Sequence, residues 1–358
     1  MTLTNTKVPA NQTDYPVLID SRVTTIPANF WTTVADANGL DIRVWNESED
    51  TELKREIVYF DSASQKLEMF VKIPSLSSSV NTVIWVYCGD ATKAKSNDEA
   101  TWNDNFEMVQ HFQGNLIDST NHNLNGTLQG GATYNASSKL TGSCLDLTAG
   151  NDYCDGFGQA GLGSSTEATL MALIKVNNYP GANYPLYIRI GEGGLQAGRD
   201  ILCCFVHNAA NSNKITGFTC EPYSAPRLGA LDSAAFGPAT WHLVHYTVDD
   251  GADTNSIYKN GAVVGIDNSN SSPSGVQIAN MGAYIIELGR DSDLATYVDG
   301  YIDEVRILSK ELNANWIQID QNLFDNPDSC WTGSDWQAAE YPTVAVPVIF
   351  NTYRQMRG

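Results

Sequence analysis

The chain has 358 residues, with 21 Lys+Arg against 41 Asp+Glu and a formal net charge of −20. That length predicts two domains and removes about 75% of the unfolded surface from water, so folding needs neither disulfides nor metals. A composition of 42% hydrophobic and 17% charged residues excludes a disordered chain, and the acid excess without a Lys/Arg stripe excludes nucleic-acid and anionic-membrane partners.

In chain order the pattern is β almost throughout. Residues 16–20 open a first domain, and residues 40–45 alternate apolar and polar side chains as a half-buried strand does. Residues 56–60 and 67–73 follow around a turn at 61–64, and residues 81–87 are the most continuously apolar stretch of this region. Short strands with Ser, Gly and Asp turns predict an antiparallel sandwich. Residues 91–105 are polar, lack an apolar stripe and read as a linker.

Beyond Phe106 the strands lengthen and the loops gain Gly, Asn and Ser. Residues 169–176, 239–248 and 284–289 are the clearest strands. Asn260-Gly261 between two apolar runs supplies the positive φ angles of a type I′ hairpin. Only residues 312–323 look helical: Leu312, Trp316, Ile319 and Leu323 share one face, with Ser309 as N-cap. After residue 326 the sequence changes character. Pro342 and Pro347 remove backbone donors from the apolar run 341–350, which argues against a central strand and leaves an apolar patch to be covered.

The seven cysteines follow no disulfide framework, and no Cys-x-x-Cys pair occurs, which argues against a zinc site. Residues 1–16 are polar and show no signal-peptide core, and no apolar run reaches the roughly 20 residues of a membrane span. Synthesis in a reducing cytosol is the expectation, with no membrane insertion.

Trp241-His242-Leu243-Val244, Tyr258-Lys259-Asn260-Gly261 and the run from Gly300 to Ile307 resemble the signature of laminin-G-like, concanavalin-type jelly rolls. Residues 117–121 and 125–127 fit the entry of the same family. The first domain resembles a family of unknown function that precedes such jelly rolls in microbial surface and phage proteins, through residues 41–44, 71–74 and 86–89. Cys88 there replaces a more usual Tyr or Phe. The expected fold is therefore all-β: a lead over 1–14, a small β-sandwich over 15–104, a larger concanavalin-like jelly roll over 105–326, and an extended tail over 327–358.

The resemblance implies a non-catalytic module that binds carbohydrate or protein, sometimes through a rim calcium. For calcium the candidates are Asp118, Asn121, Asn123 and Asp303, weighed against a turn held by Asx hydrogen bonds. For sugar stacking they are Tyr179, Tyr184, Tyr223 and Tyr297, which lie in Gly/Pro/Asn-rich stretches. His242 and His245, three apart on a strand, face opposite sides and do not share an ion. No Glu-x-Asp-x-Glu strand marks a retaining hydrolase, and the consecutive Asp303 and Glu304 are expected to face opposite sides.

These readings predict a non-enzymatic structural and adhesion protein, by analogy a component of a tailed-phage virion made in the host cytoplasm. Its tail, through Val344, Val346, Val348, Ile349 and Phe350, is expected to dock on other virion proteins or on a second copy, and its jelly roll on a host surface glycan. The alternatives are an extracellular bacterial surface protein that binds carbohydrate, and a polysaccharide hydrolase.

Overall fold

The computed structural model describes residues 1–158, 162, 165–178, 186–191, 200–206, 213–219, 228–249, 251–252, 254–267, 285–290 and 296–333. Every strand pairing among them is antiparallel.

The N-terminal module has two sheets. In one, Lys66–Leu76 lies between Gln12–Asp20 and Arg55–Asp61; in the other the order is Trp331–Thr332, Thr2–Leu3, Thr82–Tyr87 and Arg43–Asn46. Residues 2–3, expected in a lead, thus form a strand between Thr82–Tyr87 and the strand Trp331–Thr332, which was expected in the tail. The expected linker is also pinned down. The Arg55 side chain donates to the carbonyls of Leu40, Ile42 and Lys95 at 2.9, 2.9 and 2.7 Å, and Asn97 Oδ1 accepts from Arg55 and from the Ile57 N–H. Asp90 and Asp98 cap short 3-10 turns within this segment.

The jelly roll stacks two larger sheets. One runs Ala262–Asp267, Thr254–Lys259, Trp241–Asp249, Glu167–Asn178, Asp299–Leu308, Cys144–Leu147, Thr133–Asn135, with Phe106–Gln110 also paired to Asp299–Leu308. The other runs Leu228–Leu231, Ile215–Thr219, Asp200–Val206, Leu186–Gly191, Ile285–Leu288, Tyr153–Asp155, Thr127–Gln129. Leu170, Ala172, Ile174, Val244 and Val305 of the first sheet meet Ile188, Ile190, Ile286 and Leu288 of the second.

The unbroken apolar run at 169–176 has a physical reason. Strands buried on both faces lose the alternation of half-buried ones. Here Leu170 and Ala172 face the jelly-roll core, while Met171 and Leu173 join a second core with the N-terminal module. That second core also takes in Leu18, Phe70, Trp102 and the apolar face of the helix Ala314–Asp325. The two modules therefore share a hydrophobic core.

The helix has the predicted face, with Trp316, Ile319 and Leu323 buried, but a different cap. Asn313 accepts from the N–H groups of Asn315 and Trp316, both at 3.0 Å. Ser309 still belongs to the sheet edge, its N–H bonded to the Asn105 carbonyl at 2.9 Å. The Asn260-Gly261 hairpin forms as expected, with φ of +51° and +79°.

Candidate functional site

The outer face of the seven-stranded sheet carries a polar and aromatic group of side chains around the strands Thr127–Gln129, Tyr153–Asp155, Ile285–Leu288 and Leu186–Gly191. Cys154 points into the jelly-roll core, so its neighbours Tyr153 and Asp155 point outward, beside Gln129 and Thr127 across the ladder. Leu288 and Ile188 also face the core, which turns the cross-strand pair Glu287 and Arg189 outward. Arg189 and Glu287 are nevertheless only 0% and 2% exposed, and they form an ion pair.

Half-buried side chains surround this pair. Arg290 bonds Glu287 as well, and its guanidinium lies 3.7 Å from the centre of the Tyr153 ring and 3.9 Å from Asp155 Oδ2. Gln129 Nε2 donates to Asp155 Oδ1 at 2.9 Å. Tyr297 is bridged to Arg290 through the backbone and sits 6.1 Å, ring to ring, from Tyr153. Tyr153, Asp155, Gln129, Arg290 and Tyr297 are all half-buried. Among the described residues, two arginines stand against two carboxylates here, on a chain of net charge −20. Fixed aromatic faces beside planar donors and acceptors suit a polar, uncharged ligand with apolar faces of its own.

Of the expected sugar-stacking tyrosines, Tyr297 belongs to this patch, whereas Tyr179, Tyr184 and Tyr223 lie outside the described residues. Tyr153, Asp155 and Arg290 were missed, although the Tyr-Cys-Asp alternation already places Tyr153 and Asp155 on one face. The expected docking residues Val344, Val346, Val348, Ile349 and Phe350 also lie outside the described residues.

The expected calcium ligands serve two different segments. Asp118 accepts from the N–H groups of Val109, Thr120 and Leu124 and from the Thr120 hydroxyl, at 2.8–3.1 Å, which is an Asx-type turn anchor. Asn123 donates to the Asn121 carbonyl at 2.9 Å, and both are exposed. Asp303 Oδ2 accepts instead from Lys139 and Leu140 N–H. Burial, opposed by the Leu140 N–H and reinforced by Glu304, pushes the Asp303 carboxyl up to about 7.

Asp303 and Glu304 do not face opposite sides. Ile302 and Val305 both point into the jelly-roll core, and the ladder shifts register between Leu173 and Ile174. This bulge turns both acids toward the N-terminal module. They join a buried charged cluster there. Glu304 accepts from Arg306 Nε at 2.9 Å and lies 2.7 Å from His111 Nδ1. Asp320 on the helix accepts from the Tyr15 hydroxyl at 2.6 Å and lies 3.2 Å from His245 Nε2 and 3.8 Å from Arg306.

His242 and His245 sit on opposite strand faces: His245 meets Asp320, while His242 packs on Phe236 with ring centres 4.3 Å apart. Cys88, Cys144, Cys154 and Cys330 are free thiols. Burial pushes the Cys88 and Cys144 thiols up to about 12, so they act as packing groups rather than nucleophiles. No helix among the described residues is long and apolar enough to cross a membrane, which says nothing about strands.

Residues 148–318 match the laminin G family described as the concanavalin A-like lectin/glucanases superfamily, and residues 38–125 match a domain family of unknown function, DUF2341. No curated protein matches by sequence. Among solved structures, domain 4 of AbnA, a GH43 extracellular arabinanase from Geobacillus stearothermophilus in complex with arabinotriose, is 17% identical over 60% of this chain and 97% of that one, with a TM-score of 0.45. The ligand binding domain of botulinum neurotoxin serotype D, in complex with N-acetylneuraminic acid, is 14% identical over 63% of this chain and 52% of that one, TM-score 0.44. The binding domain of Paraclostridial Mosquitocidal Protein 1 is 12% identical over 61% and 52%, TM-score 0.45. The chain thus spans about half the length of the two toxin domains.

Proposed function

We propose that this chain, a DUF2341 module joined to a laminin G, concanavalin A-like jelly roll, is a non-enzymatic adhesion protein that binds a glycan on the outer face of its seven-stranded sheet. The observation that carries this reading is the half-buried, charge-balanced group of Tyr153, Tyr297, Arg290, Asp155 and Gln129. A pyranose has an apolar face for an aromatic ring and hydroxyl pairs for a guanidinium, carboxylate or amide. The carboxylates support binding rather than hydrolysis, since Glu287 is held by Arg189 and Arg290.

The test is a glycan array followed by titration of any hit. Tyr153→Ala and Arg290→Ala should each weaken binding at least tenfold with the far-UV spectrum unchanged; a blank array, or binding indifferent to both changes, removes the basis for the reading. A chelator arm tests the expected calcium. Reducing-sugar release from a bound glycan would replace adhesion with hydrolysis.

The setting in a virion, or on a cell surface, is proposed from the module pair alone. Assembly through the tail is tested by ending the chain after Gly333. The cut falls there because Trp331 is 1% exposed and donates from Nε1 to the Leu18 carbonyl at 3.0 Å, so it belongs to the folded body. Particle incorporation without residues 334–358 would reject tail docking.

A further inference from the structure

We propose that Glu68, His111 and Glu304 form a binding site for a divalent transition-metal cation that joins the two modules. Glu68 stands on the central strand of the N-terminal three-stranded sheet, whereas Glu304 and His111 belong to the jelly roll. Their donor atoms lie within 4.8 Å of one another, and all three residues are buried.

Glu68 is the observation that points to a ligand. It is 1% exposed, and its Oε2 has no hydrogen-bond partner. Most buried carboxylate oxygens are paired, because an unpaired one loses its hydration for nothing. The residue that carries this unpaired oxygen belongs to the same small cluster as an imidazole and a second carboxylate.

The surroundings of His111 fit the same role. Its Nδ1 is turned to Glu304, while Nε2 lies 3.4 Å from Glu56 Oε2. A ligating imidazole characteristically gives its other ring N–H to a carboxylate, which fixes its orientation. Glu56 is itself fixed by Trp102 Nε1 and the Ser119 hydroxyl, both donating at 2.6 Å. The remaining oxygen of Glu304 is held by Arg306. Two carboxylates and one imidazole suit zinc or manganese(II); calcium prefers six to eight oxygens. Arg306 already pairs Glu304, so a dication beside it would offset the remaining charge of Glu68 and Glu56, in a region where Asp303 and Asp20 add further negative field. Cysteine spacing gave no sign of such a site because none of the donors is a cysteine.

The competing occupant is the proton, with Glu68 a neutral acid and His111 a cation between Glu304 and Glu56. Because the cluster is enclosed, loading is done by refolding the full chain from urea with either zinc chloride or EDTA, then desalting. The wild type should retain one zinc per chain and melt at a higher temperature than the EDTA arm. Glu68→Gln keeps the shape and removes the charge, and should weaken zinc binding at least tenfold with the far-UV spectrum unchanged. Glu56→Gln, outside the donor set, should weaken it by about 10–100-fold. Wild-type protein without zinc, equal zinc in wild type and Glu68→Gln, or a rise in melting temperature with calcium but not zinc would each overturn the proposal.

Discussion

Replacing Phe70 by Ala tests whether the two modules fold as one unit. Phe70 is 0% exposed and stands at their junction. Its ring stacks on His111 at 5.4 Å and touches Trp102 at 5.1 Å and Phe324 at 6.4 Å, while the Arg306 guanidinium lies 4.9 Å from its centre. Truncating a buried Phe costs about 3–5 kcal/mol, and the cost rises when the walls of the cavity cannot collapse. These walls are held independently: Trp102 by Glu56, His111 by Glu304, and Phe324 by the helix. The lost guanidinium–ring contact adds roughly 1–2 kcal/mol in a desolvated site. We therefore expect a loss of about 4–7 kcal/mol, and a smaller one for Phe70→Leu, which loses the same guanidinium–ring contact but leaves a smaller cavity. Urea unfolding followed by tryptophan fluorescence and near-UV circular dichroism measures it. Both signals should shift together, because the junction belongs to both modules. A loss under about 1 kcal/mol, or two separate transitions of which one is unmoved, would refute the shared core.

Three further outcomes follow from the geometry. Asp320→Ala strands the Tyr15 hydroxyl and the His245 ring in the interior and removes one of the two carboxylates beside Arg306, and should cost about 3–5 kcal/mol in the same urea assay. Gly261→Ala places a methyl group 2.9 Å from Gln321 Cβ at φ +79° and should cost about 1–2 kcal/mol, read as a lower thermal midpoint. Burial works to raise the Glu52 carboxyl, but Arg43 and Lys95 outweigh it and hold it below the ordinary 4.5. Its stabilisation is present above the unfolded value and lost as pH falls through the folded one, so Arg43→Gln should flatten the stability slope on the acid side of pH 4.5.

Local patterns in the sequence were legible because they report local physics. Asn260-Gly261 specifies its turn by backbone preference, and the spacing of Trp316, Ile319 and Leu323 specifies a helical face. The cap was misplaced because Ser309 is claimed by the Asn105 carbonyl, a contact across 204 residues. The buried charges were hidden for a related reason. Glu304-Val305-Arg306 reads as a strand with one wet face, and only the N-terminal module covering that face makes it dry. The bulge that turns Asp303 to the side of Glu304 has no signature in the residue types around it. On the candidate glycan face, alternation around Cys154 was readable, but the approach of Arg290 to Tyr153 depends on pairing between distant strands.

The pairing of Leu3 with Trp331 has a bearing on biosynthesis. A ribosome releases Leu3 first and Trp331 only after the whole jelly roll and its helix have emerged. The first-made sheet must wait with an open edge, its Thr82–Tyr87 ladder joined at once to Thr2–Leu3 but closed only by Trp331–Thr332, the last strand among the described residues. Such long sequence separation slows folding and lengthens exposure to wrong partners. Nascent chains stalled before residue 331 should therefore be far more protease-sensitive in their first hundred residues than the released protein, and this sheet is completed only by a segment made long after it.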